Sequence, residues 1–210
     1  MASSSLEQLW SFLWTRRFTD HEARLRFELG GDIWGADHYP IPRFLQALHR
    51  ATAIADVLFP NGCHAVVASI EGSTQPEDLH DEWREDGFSR LQASGFSAAY
   101  MSEWQSIIYP DDSDDAYCWT LRGCRLGDDR IARDCLIWHG IAAEMPISPS
   151  APVVAFLLDP DAGTMLHIYD DRGMDVMACD AVKLSRLQST HASWLLEDDR
   201  TAMGRLFDPS

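Results

Sequence analysis

Apolar residues recur along the chain with two periods, one typical of helices and one typical of strands. Helical spacing over residues 5–17, 42–59 and 131–143 predicts three helices, and the second opens with a proline in its first turn. Strict alternation over residues 24–29 predicts a half-buried strand, and the small and β-branched residues at 63–70 predict another. These segments predict a protein that mixes helices and strands.

The C-terminal third carries the clearest pattern. The run Val153–Leu158 is apolar throughout, which predicts a strand covered on both faces. Two short turns, Asp159–Gly163 and Asp170–Gly173, separate it from strands predicted over Met165–Tyr169 and Met174–Cys179. Because such short connections join antiparallel neighbours, this part of the chain is predicted to form a β-meander.

The remaining segments give weaker patterns. Residues 76–93 are acidic and predict a surface helix, residues 97–109 fit neither period, residues 117–122 alternate as a strand does, and residues 183–196 predict a last helix. No repeat or linker interrupts the chain. We therefore expect one α+β domain over residues 1–210, with an antiparallel or mixed sheet, a C-terminal β-meander and helices packed on one face.

Composition narrows the class of protein. Hydrophobic residues make up 46% and charged residues 24%, as in a soluble globular protein. The net charge of -16 argues against a nucleic-acid binder, which needs a basic face. The longest apolar run has six residues, too short to cross a bilayer, and the N-terminus lacks the pattern of a secretory signal. Five cysteines without a C-x-x-C motif indicate reduced thiols, so we expect a cytoplasmic protein without a membrane segment.

The run Tyr169–Asp175 is the most distinctive local motif. As a hairpin corner, it would let Asp170 accept a hydrogen bond from the backbone two residues later and let Gly173 adopt the left-handed conformation. A metal site is the alternative, in which Asp170, Asp171 and Asp175 hold Mg²⁺ and Arg172 grips a phosphate or carboxylate. Because Asp-rich turns are common, the structural interpretation is favoured.

The stretch from Val153 to Val176, with the letters HIYDDRGMDV, resembles the signature of a bacterial domain-of-unknown-function family. That family is marked by a Tyr-Asp-Asp-Arg-Gly run late in the chain, and an upstream segment similar to Leu136–Pro146 precedes it. Its members are often encoded beside polymorphic toxin genes, which is the setting of immunity proteins. The resemblance therefore implies a role in toxin neutralisation and supplies no catalytic residue.

Clusters of acidic residues offer a physical reason for such a role. The segment with Asp111, Asp112, Asp114 and Asp115 is the densest of several, and a negative surface attracts a basic partner and speeds the encounter. A toxin that attacks nucleic acid is such a partner, because its substrate groove must be positive. We expect this acidic segment, Trp34 and the residues Asp170, Asp171 and Arg172 to contact the partner.

No catalytic signature competes with this interpretation. The chain contains no H-E-x-x-H, G-x-S-x-G, P-loop or G-x-G-x-x-G motif. A catalytic Cys–His dyad stays an open alternative, because its two residues can be far apart in the sequence. The favoured hypothesis is a non-enzymatic acidic immunity protein, without metal or cofactor, that covers the basic active site of a toxin. The alternative is a small Mg²⁺-dependent enzyme acting on a phosphorylated or nucleotide substrate, and a homodimer is also possible.

Overall fold

The structure, a computed structural model, describes residues 2–19, 23–33, 39–70, 85–109 and 117–197. The helices are α1 (Ala2–Thr19), α2 (Pro40–Leu58), α3 (Gly87–Ala93), α4 (Arg130–Ala142) and α5 (Ser185–Thr190). The strands are β1 (Arg24–Glu28), β2 (Cys63–Ser69), β3 (Tyr100–Ile107), β4 (Cys118–Gly127), β5 (Val154–Asp159), β6 (Thr164–Ile168) and β7 (Gly173–Ala178).

These strands form one open antiparallel sheet with the order β1-β7-β6-β5-β2-β4-β3. Strands β5, β6 and β7 are consecutive in the chain and adjacent in the sheet, which confirms the predicted meander. The protein is an α+β protein, as the sequence predicts.

The central strands of the sheet are buried on both faces. Along β2, Ala65 and Val67 point into one core, while Val66 and Ala68 point into the other, as the alternation of a strand requires. Helices α2 and α4 pack on the first face, and α1 covers the second. The prediction of helices on one face therefore holds for α2 and α4, but it misses α1 on the opposite side.

Helix α1 covers the second face with a stripe of large side chains. The buried members of this stripe are Leu6, Trp10, Leu13 and Trp14. The Trp14 ring meets Phe156 edge-on, with 4.9 Å between ring centroids, and its Nε1 donates a hydrogen bond to the Ile108 carbonyl at 2.7 Å. Helical spacing predicts the helix and its apolar side, but only these contacts decide which face of the sheet it covers.

The prediction of one continuous helix over residues 183–196 is wrong. The chain instead forms a 3-10 helix at Ala181–Leu184, the short α5 and a second 3-10 helix at Ala192–Trp194. Leu195 then forms a β-bridge with Phe27, and the backbone N–H of Leu196 donates to the Arg26 carbonyl at 3.0 Å. Since bonding to β1 requires extended backbone, the helix cannot continue to this point.

Two weaker patterns resolve into defined elements. The ambiguous segment 97–109 contains β3, an edge strand whose residues alternate between half-buried and exposed. Of the surface helix predicted over residues 76–93, α3 forms the last part, and residues 76–84 lie outside the described residues. Helix α3 begins after Asp86, whose carboxylate accepts a hydrogen bond from the Ser89 N–H at 3.1 Å, as an N-cap does.

None of the five cysteines forms a disulfide. Burial raises the pKa of Cys63 and of Cys124 to about 12, so both stay as neutral thiols at pH 7. Within the part of the chain that the structure describes, no helix combines the length and the apolar character needed to cross a membrane.

The docking of α1 can be tested by truncating Trp14. We expect Trp14→Ala to lower the free energy of unfolding by about 3–5 kcal/mol, because it leaves a cavity against Phe156. Phe12→Ala is the matched control, since Phe12 lies on the same helix and is 49% exposed, and it should change that free energy by about 0.5 kcal/mol or less. Urea denaturation followed by circular dichroism measures both, and equal losses would contradict the packing of α1.

Candidate functional site

Several strand connections meet at one end of the sheet, which we call the Asp170 end. The antiparallel registers bring the last residues of β1, β2, β3 and β6 to the level of the first residues of β4 and β7. The residues that mark this end are Glu28, Ser69, Ile107, Cys118, Ile168 and Gly173. Every residue predicted to contact a partner belongs to a segment that leaves the sheet here. The β5–β6 turn and the β4–α4 connection lie at the opposite end.

The β6–β7 turn is held together by Asp170. One oxygen of its carboxylate accepts a hydrogen bond from the Arg172 backbone N–H at 2.6 Å, as the sequence predicts, and the other accepts one from the Arg172 Nε at 2.7 Å. This hydrogen-bonded charge pair raises the pKa of the Arg172 guanidinium, which stays positive. The Arg172 side chain is 65% exposed and also contacts Glu144 at 3.2 Å, whereas Asp170 is buried.

A buried ion pair joins the same turn to α2. The Arg43 guanidinium donates to the carboxylate of Asp171, and it also donates to the Ile33 carbonyl in the segment that follows β1. Both charged side chains are less than a tenth exposed. A Cβ at position 30 would overlap the Arg43 guanidinium, so Gly30 leaves the space that this arginine occupies. Asp170 and Asp171 thus hold arginines in place, and of the three turn residues only Arg172 has an exposed side chain.

Gly173 is required for space and not for an unusual backbone conformation. The expectation that it adopts the left-handed conformation is wrong, because it begins β7 with ordinary strand geometry and is not among the glycines with positive φ. A Cβ at this position would overlap the hydroxyl of Tyr169 and the carbonyl of Phe27. The glycine therefore lets β1 and the Tyr169 ring approach the turn closely.

The three carboxylates of the magnesium alternative do not face one another. Asp175 accepts a hydrogen bond from Arg26 at 3.1 Å, and it lies on the side of β7 that faces α1, like Met177 two residues later. Asp171 faces Arg43 of α2 on the other side of the sheet. Among the described residues, no group of three or more histidines, cysteines and carboxylates is arranged to hold a metal ion.

The other predicted contact residues, namely Trp34, Asp111, Asp112, Asp114 and Asp115, lie outside the described residues. The described residues on either side of these segments are at the Asp170 end. Ile33 is held there by Arg43, and β3 and β4 flank the acidic segment at Ile107 and Cys118. Their contact with a partner stays a prediction. The described residues to which these segments connect lie at the Asp170 end.

A second polar site, on the face of the sheet that α2 and α4 cover, was not predicted. His139 of α4 is 1% exposed, and its Nε2 lies 2.7 Å from the Ser94 Oγ at the end of α3. Burial lowers the pKa of His139 to about 4, so the ring is neutral at pH 7. The two residues are 45 positions apart, and neither belongs to a recognisable sequence motif. Their pairing becomes visible only when α3 packs beside α4.

Comparison with known proteins gives one family match. Residues 3–199 match the family model described as "Domain of unknown function (DUF3885)". No curated protein and no solved structure matches the chain significantly. The match covers nearly the whole described fold, including both helical layers and the Asp170 end.

The buried ion pair makes a prediction about stability. Arg43→Met should lower the free energy of unfolding by about 3–5 kcal/mol, because it leaves the Asp171 carboxylate buried without its partner. The double variant Arg43→Met/Asp171→Leu should lose less, since it removes both charges. Arg130→Met is the control, because Arg130 is 69% exposed and pairs with Asp56 at 3.5 Å, and it should cost about 1 kcal/mol or less. Similar losses in the two single variants, measured by urea denaturation, would contradict a buried pair.

The low pKa of His139 predicts a loss of stability in mild acid. Its pKa falls from 6.5 to about 4 on folding, so the unfolded chain takes up the proton first as the pH drops. The stabilising contribution is complete above pH 6.5 and is lost as the pH falls towards 4. Between about pH 7 and 5, the wild-type chain should lose roughly 2 kcal/mol more of its free energy of unfolding than the His139→Gln variant. Parallel pH dependences of the two chains in urea denaturation would contradict the burial of this ring.

Proposed function

Because the chain belongs to the DUF3885 family, whose description names no activity, we propose its function from its charge and topology. The proposal is a non-enzymatic binding protein whose acidic Asp170 end meets a basic protein. In its finer form, the protein is an immunity protein that neutralises a bacterial toxin by covering the toxin's basic active site. The observation that carries the proposal is the attachment of the most acidic segments to one end of the sheet.

Two segments attached at the Asp170 end hold half of the net charge. Residues 71–84 follow β2, and residues 110–116 connect β3 to β4. Together they contain nine carboxylates and one arginine, a net charge of -8 out of the chain's -16. Since β2, β4 and β3 are neighbours in the sheet, the attachment points of both segments lie within about 10 Å of one another.

Carboxylates elsewhere often have a structural task. Asp86 and Asp129 cap α3 and α4, Asp180 caps the first 3-10 helix, and Asp159 accepts two backbone N–H bonds in the β5–β6 turn. Such groups stabilise the fold through local hydrogen bonds. The two acidic segments carry negative charge beyond what these caps require.

A concentrated negative charge fits the chemistry of a nucleic-acid-cleaving toxin. The substrate groove of such an enzyme is lined by cations that would otherwise bind phosphates. A protein that presents carboxylates at one end attracts this groove over several ångströms, and the attraction weakens as salt screens it. The exposed Arg172, at the Asp170 end, offers a rigid hydrogen-bonding group that could anchor the partner.

The test uses the product of the gene adjacent to the one that encodes this chain. Asp111→Asn/Asp112→Asn should slow its association with the purified chain by about fivefold at low salt, because it removes steering charge. The matched control is Asp128→Asn/Asp161→Asn, which removes two exposed carboxylates at the opposite end and should leave the rate nearly unchanged.

The difference between the two variants should shrink as salt is raised, because screening removes long-range attraction first. Unchanged thermal midpoints show that both variants are folded. Absence of binding at low salt would contradict the proposal, and so would equal slowing by the two pairs of substitutions.

A further inference from the structure

A cleft of about 590 Å³ lies between α2 and α4. Leu45 and Leu48 of α2 form one wall, and Ile131 and Trp138 of α4 form the other. The volume is typical of a small-molecule site, and apolar walls with a few converging polar groups are the usual composition of such sites.

The wall formed by Trp138 is fixed in place. Its ring meets Phe44 edge-on, with 4.4 Å between ring centroids, and its Nε1 donates to the Pro149 carbonyl at 2.8 Å. A ring held from two sides does not need to reorganise when a ligand packs against it, and this preorganisation favours binding.

The polar pair that lines the cleft, Ser94 and His139, leaves one buried ring nitrogen without a hydrogen bond in the part of the chain that the structure describes. Ser94 Oγ lies 2.7 Å from both the Leu91 carbonyl and the His139 Nε2, and one hydroxyl proton cannot serve both. If Ser94 donates to Leu91, the His139 Nε2 is the donor and Nδ1 is an unprotonated acceptor. Among the described residues, nothing bonds to this buried Nδ1, at a free-energy cost comparable to a lost hydrogen bond.

The charges around the cleft favour a neutral ligand. The His139 ring is neutral at pH 7 because burial lowers its pKa to about 4, and Asp134 pairs with Arg133 at 2.8 Å. At the mouth, Leu45 and Ile131 are 56% and 85% exposed, so an apolar molecule seated there would remove their surface from water.

We propose that this cleft binds a neutral, mainly aromatic small molecule that carries one hydroxyl group, and that the Ser94–His139 pair recognises the hydroxyl. A hydroxyl both donates and accepts, so it matches a hydroxyl–imidazole pair whose proton can sit in either of two arrangements. The apolar walls supply affinity, and the polar pair supplies the preference for an alcohol over the corresponding hydrocarbon. None of the residues that line this cleft is among those proposed to contact the protein partner.

Binding of 2-naphthol and of naphthalene, measured by calorimetry up to the solubility limit of naphthalene, tests the proposal. We expect 2-naphthol to bind about fivefold more tightly, as one added hydrogen bond provides. Ser94→Ala should remove this preference while naphthalene still binds.

Ile131→Trp should block the mouth and weaken both probes without disturbing the fold, because Ile131 is exposed. Val182→Trp, at an exposed apolar position outside the cleft, should leave both affinities unchanged. Failure of both probes to bind, equal affinity of the two probes, or binding that survives Ile131→Trp would overturn the proposal.

Discussion

Burial of the central strands on both faces is the constraint on which this structure depends. The side chains of β2 and β5 alternate between two separate cores, so each strand must be apolar on both sides. Helices α2 and α4 close one core, and α1 closes the other. Because no face of the sheet is left to solvent along these strands, a ligand or partner cannot reach them from either face.

The Asp170 end shows how one end is stabilised. Asp170 orders the β6–β7 turn, and Asp171 reaches Arg43 of α2. Arg43 in turn holds the Ile33 carbonyl in the segment after β1. The Tyr-Asp-Asp-Arg-Gly run therefore acts as a junction between the meander, α2 and β1, and the exposed Arg172 is its one outward-facing group.

Local patterns predicted much of this fold, and the interactions between distant segments account for what they missed. The meander followed from three apolar runs with short turns, and α2 and α4 followed from helical spacing. The position of α1 depends on the contacts of Trp14 with Phe156 and Ile108, which spacing cannot show. Likewise, the role of Asp171 depends on an arginine 128 residues away, and Ser94 meets His139 only through the packing of two helices. The last predicted helix failed because Leu195 pairs with β1, another long-range contact.

The central claim is that the Asp170 end is the surface that meets a basic protein. Hydrogen exchange, followed by mass spectrometry, of the chain bound to the product of the adjacent gene tests this claim most directly. The account predicts that exchange slows in residues 71–84 and 110–116 and around Arg172, while the β5–β6 turn at Asp159–Thr164 exchanges as in the free chain. Slowed exchange at the β5–β6 turn, with the two acidic segments unaffected, would contradict it.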